Sequence, residues 1–199
     1  MLERLWNGWR AAYVTSGGAA GGVAADDVES GRGSVFTRIL HSGLPDVDTH
    51  IVHRGEHVFA ILNAFPYSVG HTLVLPYREI GELDALTPDE HTELWSTVTD
   101  AVVALKAAYR PEGINVGLNL GKPAGGSVSD HLHVHVVPRW TGDSNFMTAT
   151  ANTRTLPEAL VDTAAKLRAS WPSRPERPGP SRPERPGPSR PERPGPTAS

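Results

Sequence analysis

The chain has 199 residues, of which 38% are hydrophobic and 21% charged, with no cysteine and a formal net charge of −3; this is enough for one globular domain with a real core and too apolar for disorder throughout. The absence of cysteine excludes disulfides, thiolate metal sites and cysteine nucleophiles. The six Arg and three Glu of residues 173–196 leave a net −6 on residues 1–172, a poor match for a nucleic-acid polymer. No apolar run reaches the ~20 residues of a membrane helix. Residues 1–10 carry Glu3, Arg4, Asn7 and Arg10 where a secretory signal is apolar, so the expected address is the cytoplasm, with no membrane partner.

Leu2, Leu5, Trp6, Trp9 and Tyr13 recur at helical or near-helical spacing, which predicts an N-terminal helical segment over residues 1–15 docking an aromatic face on the body or on a partner subunit. Residues 16–34 are dominated by Gly and Ala and are expected to be a linker. Residues 49–54, 58–64 and 71–76 are short, rich in Val, Ile, Leu and Phe, and separated by turn residues, so they predict three strands in an antiparallel meander. Thr87-Pro88-Asp89-Glu90 is a capping box with proline at the first helical position; Leu94, Val98, Val102 and Leu105 continue the stripe of a helix to about Tyr109. Residues 113–120 and 131–138 predict two further strands joined by the loop Gly121 to Ser127. A second capping box, Thr155 to Glu158, opens a last helix with Leu160, Val161, Ala164 and Leu167. The expectation is an α+β body over residues 35–171, with an antiparallel sheet of about five strands and two main helices. Residues 173–196 read SRPERPGP three times and hold nine of the 18 prolines; residues 172–199 are expected to be a disordered tail that buries too little to fold.

Placement of the histidines carries the chemistry: His131-Leu132-His133-Val134-His135-Val136-Val137. On a strand, alternate residues share a face, so the three imidazoles project together about 6–7 Å apart while Leu132, Val134 and Val136 enter the core. Three adjacent rings are unfavourable when charged, which favours neutral imidazoles able to act as nucleophiles, bases or metal ligands. Three readings stand at this point: a solvated polar face, a three-histidine zinc site, and phosphoryl chemistry. The loop of Gly121, Gly125, Gly126 and Ser127 favours the last, since its backbone N–H groups and a hydroxyl suit an anion, and Lys122 adds a charge. It is not a Walker loop, because the glycine spacing is wrong and Pro123 stands where a magnesium-binding Ser or Thr belongs.

The run from His131 to Val137 resembles the histidine-triad (HIT) family pattern, His-φ-His-φ-His-φ-φ with φ apolar. The resemblance extends to Asn63 with His71 eight residues on, to Asn119-Leu120-Gly121 with Ala124 to Ser127, to Pro138-Arg139-Trp140, to Gly142 through Phe146, and to the N-terminal Leu5-Trp6, Trp9-Arg10 and Tyr13. It covers roughly residues 1–15 and 35–171 and is nearest to the bacterial diadenosine tetraphosphate phosphorylase branch. One departure is that related sequences often carry Cys-x-x-Cys where this chain has Ser34-Val35-Phe36-Thr37, so no structural zinc is expected.

The resemblance implies a catalytic set of His133, His135, His131 and His71. His133 would be the nucleophile that forms an adenylyl-histidine, His135 the charge stabiliser against the phosphate, His131 an orienting residue and His71 a buttress. It implies Asn63 for the ribose and Asn119, Gly125, Gly126 and Ser127 for phosphate; Trp140 is read either as a further contact or as a core or dimer-interface packing residue, and Lys122 is a candidate contact from its charge alone. Phosphorolysis would take diadenosine tetraphosphate and inorganic phosphate to ATP and ADP. Hydrolysis of a dinucleoside polyphosphate, adenosine phosphoramidase activity and nucleotide binding without turnover are the alternatives. No tightly bound cofactor is implied, although Mg2+ is expected to accompany the polyphosphate. A homodimer, or an assembly of dimers pairing sheets edge to edge, is the expected state.

Overall fold

A computed structural model describes residues 33–125, 128–143 and 158–173. The expectations for the N-terminal aromatic segment, nearly all of the linker and the repeat tail lie outside them.

The sheet is built around strands with no polar face. Strands β2 (Val58–Leu62) and β3 (Thr72–Pro76) are buried at every position, as strands covered on both sides must be. With β1 (Ile51–Arg54), β4 (Gly113–Leu118) and β5 (Val134–Arg139) they form one five-stranded sheet in the order β1-β2-β3-β5-β4, all neighbours antiparallel. The α+β class and the five strands agree with expectation.

Two layers cover the sheet. On one face, Ala60, Leu62, Val74, Val134 and Val136 meet Leu94, Val98, Ala101 and Leu105 of the long helix, together with Ala164 and Leu167 of the last helix. On the other, Ile51, Phe59, Ile61, Leu73 and Leu75 are capped by Phe36. Phe36 belongs to a short helix that hydrophobic periodicity does not reveal, α1 (Val35–Leu40), followed by α2 (Asp46–Thr49). Because α2 takes residues 46–49 and His50 turns through φ 60, the first strand begins at Ile51, later than residue 49.

The long helix α3 (Pro88–Tyr109) has the predicted capping box, with the Thr87 hydroxyl on the Glu90 N–H and the Glu90 carboxylate on the Thr87 N–H. Of the second box, Thr155 to Pro157 lie outside the described residues. Helix α4 (Leu160–Ser170) starts from Ala159 with no side-chain cap, and the Glu158 carboxylate accepts the Tyr109 hydroxyl at 3.0 Å and pairs with Lys166 at 2.7 Å. Arg168 fastens α4 to the sheet by donating to the carbonyls of Ile51 and Asp46, and Trp171 stacks on His53 at 4.9 Å. No helix among the described residues is long and apolar enough to cross a membrane.

Candidate active site

His71 lies immediately before β3, after the turn that closes at Gly70. Gly70 has φ 81, and a Cβ there would stand 2.8 Å from Leu105 Cδ2; glycine is required both for the left-handed backbone and for the approach to α3. The register then sets His135 of β5 opposite Leu73 of β3 and Gly117 of β4. Leu132, Val134 and Val136 are buried in the core beneath α3, as the alternation predicts. The ladder begins only at Val134, so His131 and His133 precede the strand.

Hydrogen bonds decide which nitrogen of each ring carries a proton. The Tyr67 backbone N–H, which can only donate, points at His71 Nδ1 at 3.0 Å, with Asn63 Nδ2 at 3.3 Å from the same atom. His71 is therefore neutral with its proton on Nε2, which it donates to His135 Nδ1 at 2.9 Å. His135, accepting there, carries its own proton on Nε2. His133 has the opposite tautomer: its Nδ1 is 2.8 Å from the His131 carbonyl, which can only accept, so the lone pair sits on Nε2. The His133 and His135 rings are 5.0 Å apart at 65°. One imidazole thus offers a basic nitrogen and its neighbour an N–H, the pair required to attack an electrophile and stabilise the charge that develops. Burial pushes the His133 pKa down, and the neighbouring His131 lowers it further against the pull of the His131 carbonyl, keeping the ring neutral.

His131 is wholly buried and turned to a different set of partners. Its Nε2 donates to the Pro76 carbonyl at 2.8 Å and its Nδ1 accepts from the Ser34 hydroxyl at 2.7 Å. Burial lowers its pKa, outweighing the Pro76 carbonyl and Glu79. With both nitrogens so engaged, a zinc ion shared by the three triad rings does not fit, and among the described residues no group of three or more His, Asp or Glu is arranged to hold a metal ion. A structural zinc at Ser34 and Thr37 does not fit either. Each hydroxyl spends its proton on a neighbour, Ser34 on His131 and Thr37 on Glu79, and neutral hydroxyls are not among the usual zinc ligands.

The remaining expected residues divide. Asn63 stands beside His71 and accepts the Phe65 N–H at 3.0 Å, pinning the loop that carries Tyr67. Asn119 is half-buried directly after β4; Lys122 is exposed in a single 3-10 turn (Lys122–Ala124) that ends at Gly125 with φ 94. Gly126 and Ser127 lie outside the described residues. Trp140 is half-buried in the turn after β5, its N–H on Asp143 at 3.1 Å.

Two features escape sequence reasoning. The Tyr67 ring lies nearly parallel to His135 at 6.0 Å and 14°, and the Tyr67 amide sets the His71 tautomer; a backbone donor leaves no signature in residue type. Phe36 lies edge-on to His131 and tilted against His133, 5.5 Å from each, and only the packing of α1 reveals it.

A HIT-domain family model matches residues 45–142. A protein named AP-4-A phosphorylase from Mycobacterium tuberculosis is 43% identical over 175 residues, which are 87% of this chain and 87% of that protein. A bis(5'-nucleosyl)-tetraphosphatase (asymmetrical) from Schizosaccharomyces pombe is 33% identical over 97 residues, 49% of this chain and 53% of that one. Among solved structures, a hypothetical histidine triad nucleotide-binding protein from Sulfolobus tokodaii superposes with a TM-score of 0.57 at 29% identity, covering 69% of this chain and 91% of that one. A Zn-bound histidine triad family protein from Mycobacterium smegmatis gives 0.56 at 28%, covering 68% and 91%. With identity to a relative sustained over most of both chains, and with the histidine array folded into a buried, tautomer-defined cluster, the chain belongs to the HIT family.

Proposed function

We propose that this protein is a nucleotidyltransferase that phosphorolyses diadenosine tetraphosphate. The observation that carries the reading is the opposed tautomers of His133 and His135. His133 Nε2 attacks the α-phosphorus, forming an Nε2–P bond as the bond from that phosphorus to the bridging oxygen breaks and ATP departs. His135 Nε2–H donates a hydrogen bond to the departing oxygen, where negative charge grows. A phosphate oxygen then attacks the adenylyl-histidine, the P–Nε2 bond breaks, and ADP leaves with His133 regenerated. A nucleoside triphosphate is a good leaving group, so charge stabilisation and placement carry the barrier without a carboxylate pair.

Asn63 is assigned to the ribose, Asn119, Gly125, Gly126 and Ser127 to the phosphates, and Lys122 and Trp140 to the outer part of the site. Mg2+ enters with the polyphosphate. A homodimer formed through the β4 edge accords with that strand's terminal place in the sheet and the exposure of Val116 and Leu120; light scattering at micromolar concentration that returns a monomer overturns it.

Phosphate as second acceptor is supported by the 43% identity to the mycobacterial protein named a phosphorylase. Water as acceptor is favoured by the resemblance to a tetraphosphatase. Chromatography after incubation with diadenosine tetraphosphate and Mg2+, with and without inorganic phosphate, separates them. ATP plus ADP appearing only with phosphate is the expected result; ATP plus AMP regardless of phosphate refutes phosphorolysis, and intact substrate refutes both.

A further inference from the structure

Glu79 follows the last strand residue before α3 by three positions and is exposed, yet it is the most heavily engaged carboxylate near the triad. One oxygen accepts the Ser34 N–H at 2.8 Å and the Thr37 hydroxyl at 2.5 Å, and these bonds, that of Thr37 foremost, hold its pKa below the usual carboxylate range. The chain is shaped to reach it. Gly33 has φ 108, and a Cβ there would stand 2.9 Å from the same Glu79 oxygen and 3.0 Å from Thr37 Cγ2.

From Glu79 the bonds connect through Thr37 and Ser34 to the triad. The Thr37 hydroxyl gives its proton to Glu79; the Ser34 hydroxyl, which accepts the Thr37 N–H at 3.2 Å, gives its own to His131 Nδ1. That direction is forced by His131 Nε2, which must carry a proton to bond the Pro76 carbonyl. The His131 carbonyl in turn holds His133 Nδ1. A second route is mechanical. Helix α1 has six residues, too few to persist alone, and it presses Phe36 against both His131 and His133.

We infer that Glu79 is a positioning residue: by anchoring Ser34 and Thr37 to the end of β3 it fixes α1, and with it the His131 ring and the Phe36 wall that seat His133. The inference rests on the proposed role of His133 as nucleophile. It assigns a task to three residues, Ser34, Thr37 and Glu79, that touch none of the reacting atoms.

The test compares Glu79→Ala, Glu79→Gln and Ser34→Ala in the full chain, by steady-state turnover of diadenosine tetraphosphate and by long-range proton–nitrogen spectra of the imidazoles. A misplacement of 1 Å costs up to ~10²-fold, so a loosened anchor is expected to lower kcat about 10-fold in the two alanine variants with KM held within about twofold. The combined variant falls no further than the worse single one, since both break one unit. Glu79→Gln, which keeps an acceptor, recovers most of the rate. The His131 Nδ1 signal moves in both alanine variants. A kcat within about twofold of the parent, whatever the melting temperature does, overturns the inference, as does a change confined to KM or a His131 signal that stays put in Glu79→Ala. If the parent chain does not consume the substrate, the proposed function fails, and the spectra alone still decide whether Glu79 holds His131.

Discussion

Replacing His71 tests whether its place behind His135 is a matter of protons or of packing. His71 Nε2 donates to His135 Nδ1 at 2.9 Å, and this bond obliges His135 to carry its own proton on Nε2, the N–H that the proposed mechanism uses. His71→Met fills similar space without a donor, so His135 can shift its proton to Nδ1 and present a lone pair where the proposed mechanism calls for an N–H. Losing a hydrogen bond that holds a buried polar group in one state costs ~1–3 kcal/mol, which corresponds to about 5- to 150-fold in the chemical step. His71→Gln places an amide NH2 where the imidazole Nε2–H stood and is expected to retain most of the rate. The assay is single-turnover conversion of diadenosine tetraphosphate with enzyme in excess, so that product release does not mask chemistry, with thermal melts of all three proteins. Both variants strand the Tyr67 N–H to some degree, so both are expected to melt lower than the parent, and only the rate separates them. A His71→Met rate within about twofold of the parent, or a His71→Gln rate as poor as that of His71→Met, refutes the tautomer argument.

Three other outcomes follow from the same structure. His133→Asn removes the proposed nucleophile, so turnover should fall by at least ~10³-fold while calorimetric binding of adenine nucleotide persists; substantial residual turnover would exclude His133. Burial lowers the pKa of His53, His131 and His133, so below their ordinary value of 6.5 the unfolded chain binds more protons than the folded one. Their contribution to stability is complete above pH 6.5 and is lost as pH falls toward the folded-state values; urea midpoints that stay level from pH 7 to pH 5 would contradict this. Gly70→Ala meets both the φ of 81 and the 2.8 Å approach to Leu105, and should lose about 2–4 kcal/mol in urea unfolding from left-handed strain and overpacking together; a loss under about 0.5 kcal/mol would show that the turn relaxes freely.

Local chemistry was legible wherever one segment decided the outcome. The capping box at Thr87 and Glu90 and the stripe from Leu94 to Leu105 define α3 because both act within a few turns of one helix. Alternation along β5 turns Val134 and Val136 to the core and leaves His135 between them because a strand has period two. At the start of the last helix the Glu158 carboxylate is taken by Tyr109, distant in sequence, and by Lys166 on the helix itself, partners that local spacing does not announce. The same style of reading passed over α1 because six residues show too little periodicity to announce a helix, and the carboxylate that Ser34 and Thr37 donate to is Glu79, in the loop after β3.

The sequence by itself determined the class of fold, the core-facing residues of β5 and the set of histidines, since these depend on side-chain type and on the repeat of one element. Only the tertiary structure decided which nitrogen of each histidine carries a proton. His131 to His135 are equivalent on paper, but the partners that distinguish them, the Pro76 and His131 carbonyls, the Ser34 hydroxyl and the Tyr67 amide relayed through His71, come largely from other elements. A proton on an imidazole follows the donor or acceptor it faces, and that is a property of packing.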